Sequence, residues 1–118
     1  MTFSTTCSST GCTLSISGEL DALTVSDLRK EIDRLVQGRY QLIVVDLTGL
    51  RMIDSSGVAA LVSLYKRMRA REGKVSIRAA REQPLAVLKL LKLDEVLLER
   101  AEDAAAADES AFPRSVPA

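Results

Sequence analysis

Residues 40–47 read "YQLIVVDL", an apolar run without a polar partner at alternate positions. A strand that buries only one face alternates apolar and polar residues, whereas one covered on both faces reads as a continuous apolar run. This segment therefore demands cover on both sides, and the sequence around it offers helices. Val25, Leu28, Ile32, Leu35 and Val36 recur at helical spacing before it, with Thr24 and Asp27 resembling a helix start and Gly38 a stop. Val58, Leu61, Val62, Tyr65 and Met68 form a second stripe after it, on a helix expected from Ser55 to about Arg71 and closed by Gly73.

The remaining segments extend the alternation. Residues 2–7 and 12–17 read as two short strands of an antiparallel hairpin, and "GELDA" as a loop. "KVSIRAA" is a further core strand, and Pro84 suits the first turn of a helix with Leu85, Leu88 and Leu91 inward. "DEVLLER" suggests a short edge strand, "AEDAAAADES" a weak helix and "AFPRSVPA" a disordered tail. The expected order is β-β-α-β-α-β-α, an α/β fold with a small, mostly parallel sheet, an N-terminal antiparallel hairpin and helices packed on it. At 118 residues the chain suffices for one core, expected as a single domain over residues 1–110 with a tail at 111–118. With 47% hydrophobic but only 3% aromatic residues, that core is aliphatic.

Composition also narrows function. Sixteen basic residues balance sixteen acidic ones, which gives no electrostatic reason to expect nucleic acid or an anionic membrane as a partner. The N-terminus lacks a secretory pattern and no segment reaches transmembrane length, so the expected location is the cytoplasm, without direct membrane insertion. Cys7 and Cys12 flank a plausible hairpin turn, "SSTG", a spacing that allows them to face each other across two strands. In a reducing compartment the expectation is two thiols, with a disulfide or a shared metal as alternatives. The sequence has no histidine, which removes the usual base near neutral pH and weakens any metal site. It also has no phosphate-cradling glycine loop. The expectation is a protein that is not an enzyme and needs no cofactor.

One junction stands out. Between the apolar strand and the second helix lie Asp54, Ser55, Ser56 and Gly57. Aspartate or serine caps a helix for about 1 kcal/mol, so a cap alone accounts for one of these residues. It leaves a surplus serine, and a glycine that costs roughly 0.5–1 kcal/mol against alanine without an evident local reason. A bare backbone there would suit a molecule approaching a serine. Both this junction and the loop carrying Asp21 leave the carboxyl ends of parallel strands, the edge where α/β folds place their sites. Asp21 and Asp54 should therefore be neighbours. Projecting the second helix backwards from Val58 points Ser56 away from the core and leaves Ser55 at its border. Asp46, at the end of the apolar strand, reads as a turn former.

"GELDALT" followed by "LIVVDLTGLRMIDSSGVAALVSLYKR" resembles the STAS domain of bacterial anti-sigma factor antagonists, over about residues 12–103. The resemblance implies a partner-switching protein. Its unphosphorylated form binds an anti-sigma factor that is also a serine kinase, which frees a sigma factor. The kinase phosphorylates the first hydroxyl residue after the aspartate, here Ser55, and so breaks the complex. A PP2C-type phosphatase restores it. By position, Asp21, Asp54, Ser55, Ser56 and Gly57 form the partner-binding set. Ala59 and Ser63 stand where related antagonists often carry glycine, and Leu64 where a polar residue is common. The alternative is a structural STAS subunit of a membrane transporter complex that is never phosphorylated.

Overall fold

The computed structural model describes residues 1–97. Strands β1 (Thr2–Cys7) and β2 (Gly11–Leu20) form the expected antiparallel hairpin, in register from Thr2 opposite Ser17 to Cys7 opposite Cys12. That last pair is joined by a disulfide, with the two Cα atoms 4.0 Å apart. The expectation of two thiols is thus corrected: exact cross-strand opposition, which turn spacing alone left open, brings the two sulfurs together.

Strand β2 is longer than anticipated and absorbs Gly18, Glu19 and Leu20, read above as loop. Its first half pairs in parallel with β3 (Leu42–Asp46), from Gly11 opposite Leu42 to Ser15 opposite Asp46. Its last residues pair instead with β4 (Leu50–Ile53), a strand the sequence pattern did not disclose. The change of partner occurs at Gly18, where the register shifts and φ is +90°, a conformation that side-chain-bearing residues rarely adopt. Strand β5 (Lys74–Arg78) pairs in parallel with β3, giving the order β1-β2-β3-β5 with β4 set beside β2.

Helix α1 (Val25–Gln37) buries Val25, Leu28, Ile32 and Leu35 as its spacing foretold. Helix α2 (Ser55–Ala70) buries Gly57, Val58, Ala60, Leu61, Leu64 and Met68. These side chains join Leu14, Ile16, Ile43, Val45, Val75 and Ile77 of the sheet in one aliphatic core. Gly38 is the C-cap of α1, as expected, and is followed by left-handed Arg39 (φ 59°); α2 ends on Arg71, with left-handed Glu72 (φ 62°) before Gly73.

Helix α3 (Glu82–Leu90) buries Pro84 and Leu88, but Leu91, expected to point inward, lies past its last turn and is 50% exposed. Residues Asp94–Leu97 form a single helical turn, α4, where an edge strand was expected. The "AEDAAAADES" helix, the 111–118 tail and the domain boundary at 110 lie outside the described residues. Among the described residues no helix is long and apolar enough to cross a membrane.

Candidate functional site

Strand β4 delivers the chain to the site. Its last residue, Ile53, is held by pairing with Leu20 on one side. On the other, the Gln83 amide imitates a neighbouring strand: Gln83 Oε1 accepts from the Ile53 N–H and Nε2 donates to the Ile53 carbonyl, both at 2.9 Å. Gln83 had no signal in the sequence, since a polar residue in the first turn of α3 is unremarkable until its partner strand is known.

Asp54 follows in an extended conformation and caps α2. One carboxylate oxygen, Oδ1, accepts from the N–H groups of Ser56 (2.9 Å) and Gly57 (3.1 Å). The other, Oδ2, accepts from the Ala22 N–H at 3.2 Å, while the Asp54 N–H donates to the Leu20 carbonyl at 3.1 Å. One carboxylate therefore starts the helix and fastens it to the loop after β2.

Asp21 organises that loop in the same manner. Its Oδ1 accepts from the N–H groups of Leu23 (3.0 Å) and Thr24 (3.1 Å), and its carbonyl accepts from Val25 at 2.9 Å. Thr24 is the N-cap residue of α1 and Asp27 lies in its first turn, as expected, but the Thr24 side chain makes no capping bond and its hydroxyl accepts backwards from the Asp21 N–H at 3.0 Å. The two acidic turns, 33 positions apart in the chain, share one edge of the molecule. Between them, Glu19, Leu20, Asp21, Met52, Ile53 and Asp54 line a shallow cavity of about 160 Å³.

Ser55 occupies the first helical position and is exposed, whereas Ser56 is half-buried. This reverses the projection from Val58. At 100° per residue, the buried face of α2 centres near Gly57, Leu61, Leu64 and Met68, roughly 60° round the helix from the stripe read in the sequence. On that true axis Ser55 lies opposite the core and Ser56 on its flank. Neither hydroxyl has a hydrogen-bond partner among the described residues.

Gly57 also departs from expectation. It is buried, and a Cβ added there would lie 2.7 Å from Ile53 Cγ1 and 2.8 Å from Leu20 Cγ. The glycine thus has a local structural reason: it lets the first turn of α2 settle onto the ends of β2 and β4, and it supports the serines from below. Leu64, one of the departures from the family pattern noted above, is fully buried. Asp46 forms the turn expected of it, its Oδ1 accepting from the Thr48 N–H at 2.9 Å.

The chemistry of the edge is that of hydrogen-bonded carboxylates and free hydroxyls. Asp54 spends its carboxylate on backbone amides, no imidazole exists to activate Ser55, and among the described residues no acidic, histidine and cysteine side chains gather as a metal site. What it presents is an accessible alcohol on a helix start, framed by carboxylates.

The STAS domain family model matches residues 3–106. The anti-sigma F factor antagonist of Paenibacillus polymyxa is 33% identical over 63 residues, covering 52% of this chain; the match spans about half (54%) of that relative's length. An anti-sigma factor antagonist from Mycobacterium paratuberculosis has a similar fold, with TM-score 0.79, 23% identity, and coverage of 92% of this chain and 94% of the other. The anti-sigma factor antagonist SpoIIAA in its unphosphorylated form gives TM-score 0.78 at 21% identity, over 92% of this chain and 96% of the other; Bacillus SpoIIAA in its phosphorylated form gives 0.72 at 21%, over 92% and 99%. With its strand that changes partner and its Asp54-capped start of α2 both inside the matched span, this chain belongs to the STAS domain family.

Proposed function

We propose that this chain is an anti-sigma factor antagonist, a binding module rather than an enzyme, switched off by phosphorylation of Ser55. The observation that carries the reading is the unpartnered Ser55 hydroxyl, exposed at the first position of α2, whose capping carboxylate also holds the Asp21 loop. The name of the Paenibacillus relative and the two forms of SpoIIAA support it.

In this reading the unmodified edge docks on an anti-sigma factor that is a serine kinase and displaces a sigma factor. Asp21, Asp54, Ser55 and Ser56 face the partner, and Gly57 shapes the turn beneath them. Phosphoryl transfer forms the Ser55 Oγ–P bond and breaks the γ-phosphate bond to ADP. The serine proton leaves to a base on the kinase, since this chain supplies none. A PP2C-type phosphatase hydrolyses the phosphoserine and resets the protein.

The switch acts on binding, not folding. A phosphate of about −1.5 to −2 charge at a helix N-terminus is favoured by roughly 0.3–2 kcal/mol, so the domain keeps its structure. Against a partner that has just held the nucleotide's phosphates over this serine, the sign reverses. Two unit like charges about 4 Å apart at an effective dielectric near 20 cost about 4 kcal/mol, which weakens binding by two to three orders of magnitude.

The test is to incubate the protein with ATP and the serine-kinase anti-sigma factors of its own genome, then map phosphate by mass spectrometry. Ser55→Ala abolishes labelling and retains binding, and Ser55→Asp weakens binding. Labelling that survives Ser55→Ala but disappears in Ser56→Ala overturns the assignment. No labelling by any such kinase overturns the switch.

A further inference from the structure

We infer that Leu23 is the apolar anchor of the docking edge, inserted into a hydrophobic socket on the anti-sigma factor kinase; this rests on the reading proposed above. Leu23 is 91% exposed, more than any other large hydrophobic residue among those described. A single exposed leucine is ordinary on a protein surface. This one differs in how it is held and in what surrounds it.

The loop that carries Leu23 is pinned on every side. The Leu23 and Thr24 amides both donate to Asp21 Oδ1, Ala22 donates to Asp54 Oδ2, and the Thr24 hydroxyl accepts from the Asp21 N–H. Its backbone is thus ordered before any partner arrives, so docking pays little of the entropy that a mobile loop would lose. Through Ala22 the loop is continuous with the carboxylate that caps the Ser55 helix.

The surroundings define the occupant. Met52, 48% exposed, borders the cavity with Glu19, Asp21 and Asp54. The Leu23 amide sits on the Asp21 carboxylate at 3.0 Å, and that cavity's other acids are Asp54 and Glu19, the latter 3.9 Å from Arg51. An apolar projection on a loop that ends in such an acidic, methionine-lined cavity is complementary to an apolar socket flanked by an arginine or lysine, whose charge meets Asp21 and Asp54.

The experiment measures dissociation constants for unphosphorylated wild type, Leu23→Ala, Leu23→Met and Leu90→Ala with the purified serine-kinase anti-sigma factors of the same genome. Leu90 is a matched control, being 82% exposed at the far end of α3. Burial of a leucine predicts that Leu23→Ala weakens binding by about ten- to a hundredfold. Leu23→Met restores most of it and Leu90→Ala changes nothing. The loss arises in the dissociation rate and persists at high salt, unlike the loss of a carboxylate. Leu23→Ala binding within twofold of wild type overturns the anchor while leaving the switch intact. Failure of wild type to bind any such kinase overturns both.

Discussion

The double duty of Asp54 yields a test that separates two functions of one side chain. Asparagine caps helices about as well as aspartate, so Asp54→Asn can keep its oxygen on the Ser56 and Gly57 amides. Its amide group then replaces the second oxygen and cannot accept from Ala22. Alanine loses both roles. A lost cap costs about 0.5–2 kcal/mol and a surface hydrogen bond to a charged group about 1 kcal/mol more once solvent competes, so Asp54→Ala should lose about 2 kcal/mol. Asp54→Asn should lose about 1 kcal/mol, or roughly 4–8 °C in Tm for a domain near 100 residues. Urea unfolding gives the totals, and amide hydrogen exchange assigns them to sites. In Asp54→Asn, exchange at Ala22 accelerates while Ser56 and Gly57 stay as protected as in wild type; in Asp54→Ala all three accelerate. Unchanged exchange at Ala22 in Asp54→Asn would refute the tie between the loop and the helix start.

Two further outcomes follow from packing and charge. Gly57→Ala gains about 1 kcal/mol of helix propensity but forces a methyl group against Ile53 and Leu20, an overpacking cost of about 1–3 kcal/mol. A net loss of up to about 2 kcal/mol should appear in chemical denaturation, and a more stable variant would mean that the first turn is free to move away. Glu31 has its pKa lowered, first by its hydrogen bond with Arg34 and then by that from Thr5, against the opposing effect of burial. A depressed folded-state value contributes stability above the ordinary glutamate value of 4.5 and loses it as pH falls through the folded value. The stability difference between wild type and Glu31→Gln should therefore be fully present well above pH 4.5 and shrink as pH falls below 4.5 through the depressed folded-state value in acid titration of unfolding; a difference that grows towards low pH would contradict this.

The long periodic segments were legible because their burial matches their period, as the buried set of α1 illustrates. Strand β4 was not legible, because "LRMI" buries only its two ends and exposes Arg51 and Met52 between them, which is neither alternation nor a helical stripe. The turn Asp94–Leu97 is too short to display a period, so its aliphatic residues read as extended. At the site, the acids and serines were identifiable by chemical type, but their orientation was not. Counting Val62 and Tyr65 as inward, and overlooking Ala60 and Leu64, rotated α2 and exchanged the positions of the two serines. The purpose of Gly57 could not be read either, since its neighbours Leu20 and Ile53 come from two strands, one of them undetected.

Strand β2 begins beside β3 and finishes beside β4, bending at Gly18. Both acidic turns depart from that final three-residue ladder, one from each of its rails. Whatever tilts the terminal segment must carry the Ser55 hydroxyl and Leu23 together, changing their aim relative to the rest of the sheet. A substitution at this bend should therefore behave as a reorientation of the whole edge that holds both acidic turns, without altering any side chain on it.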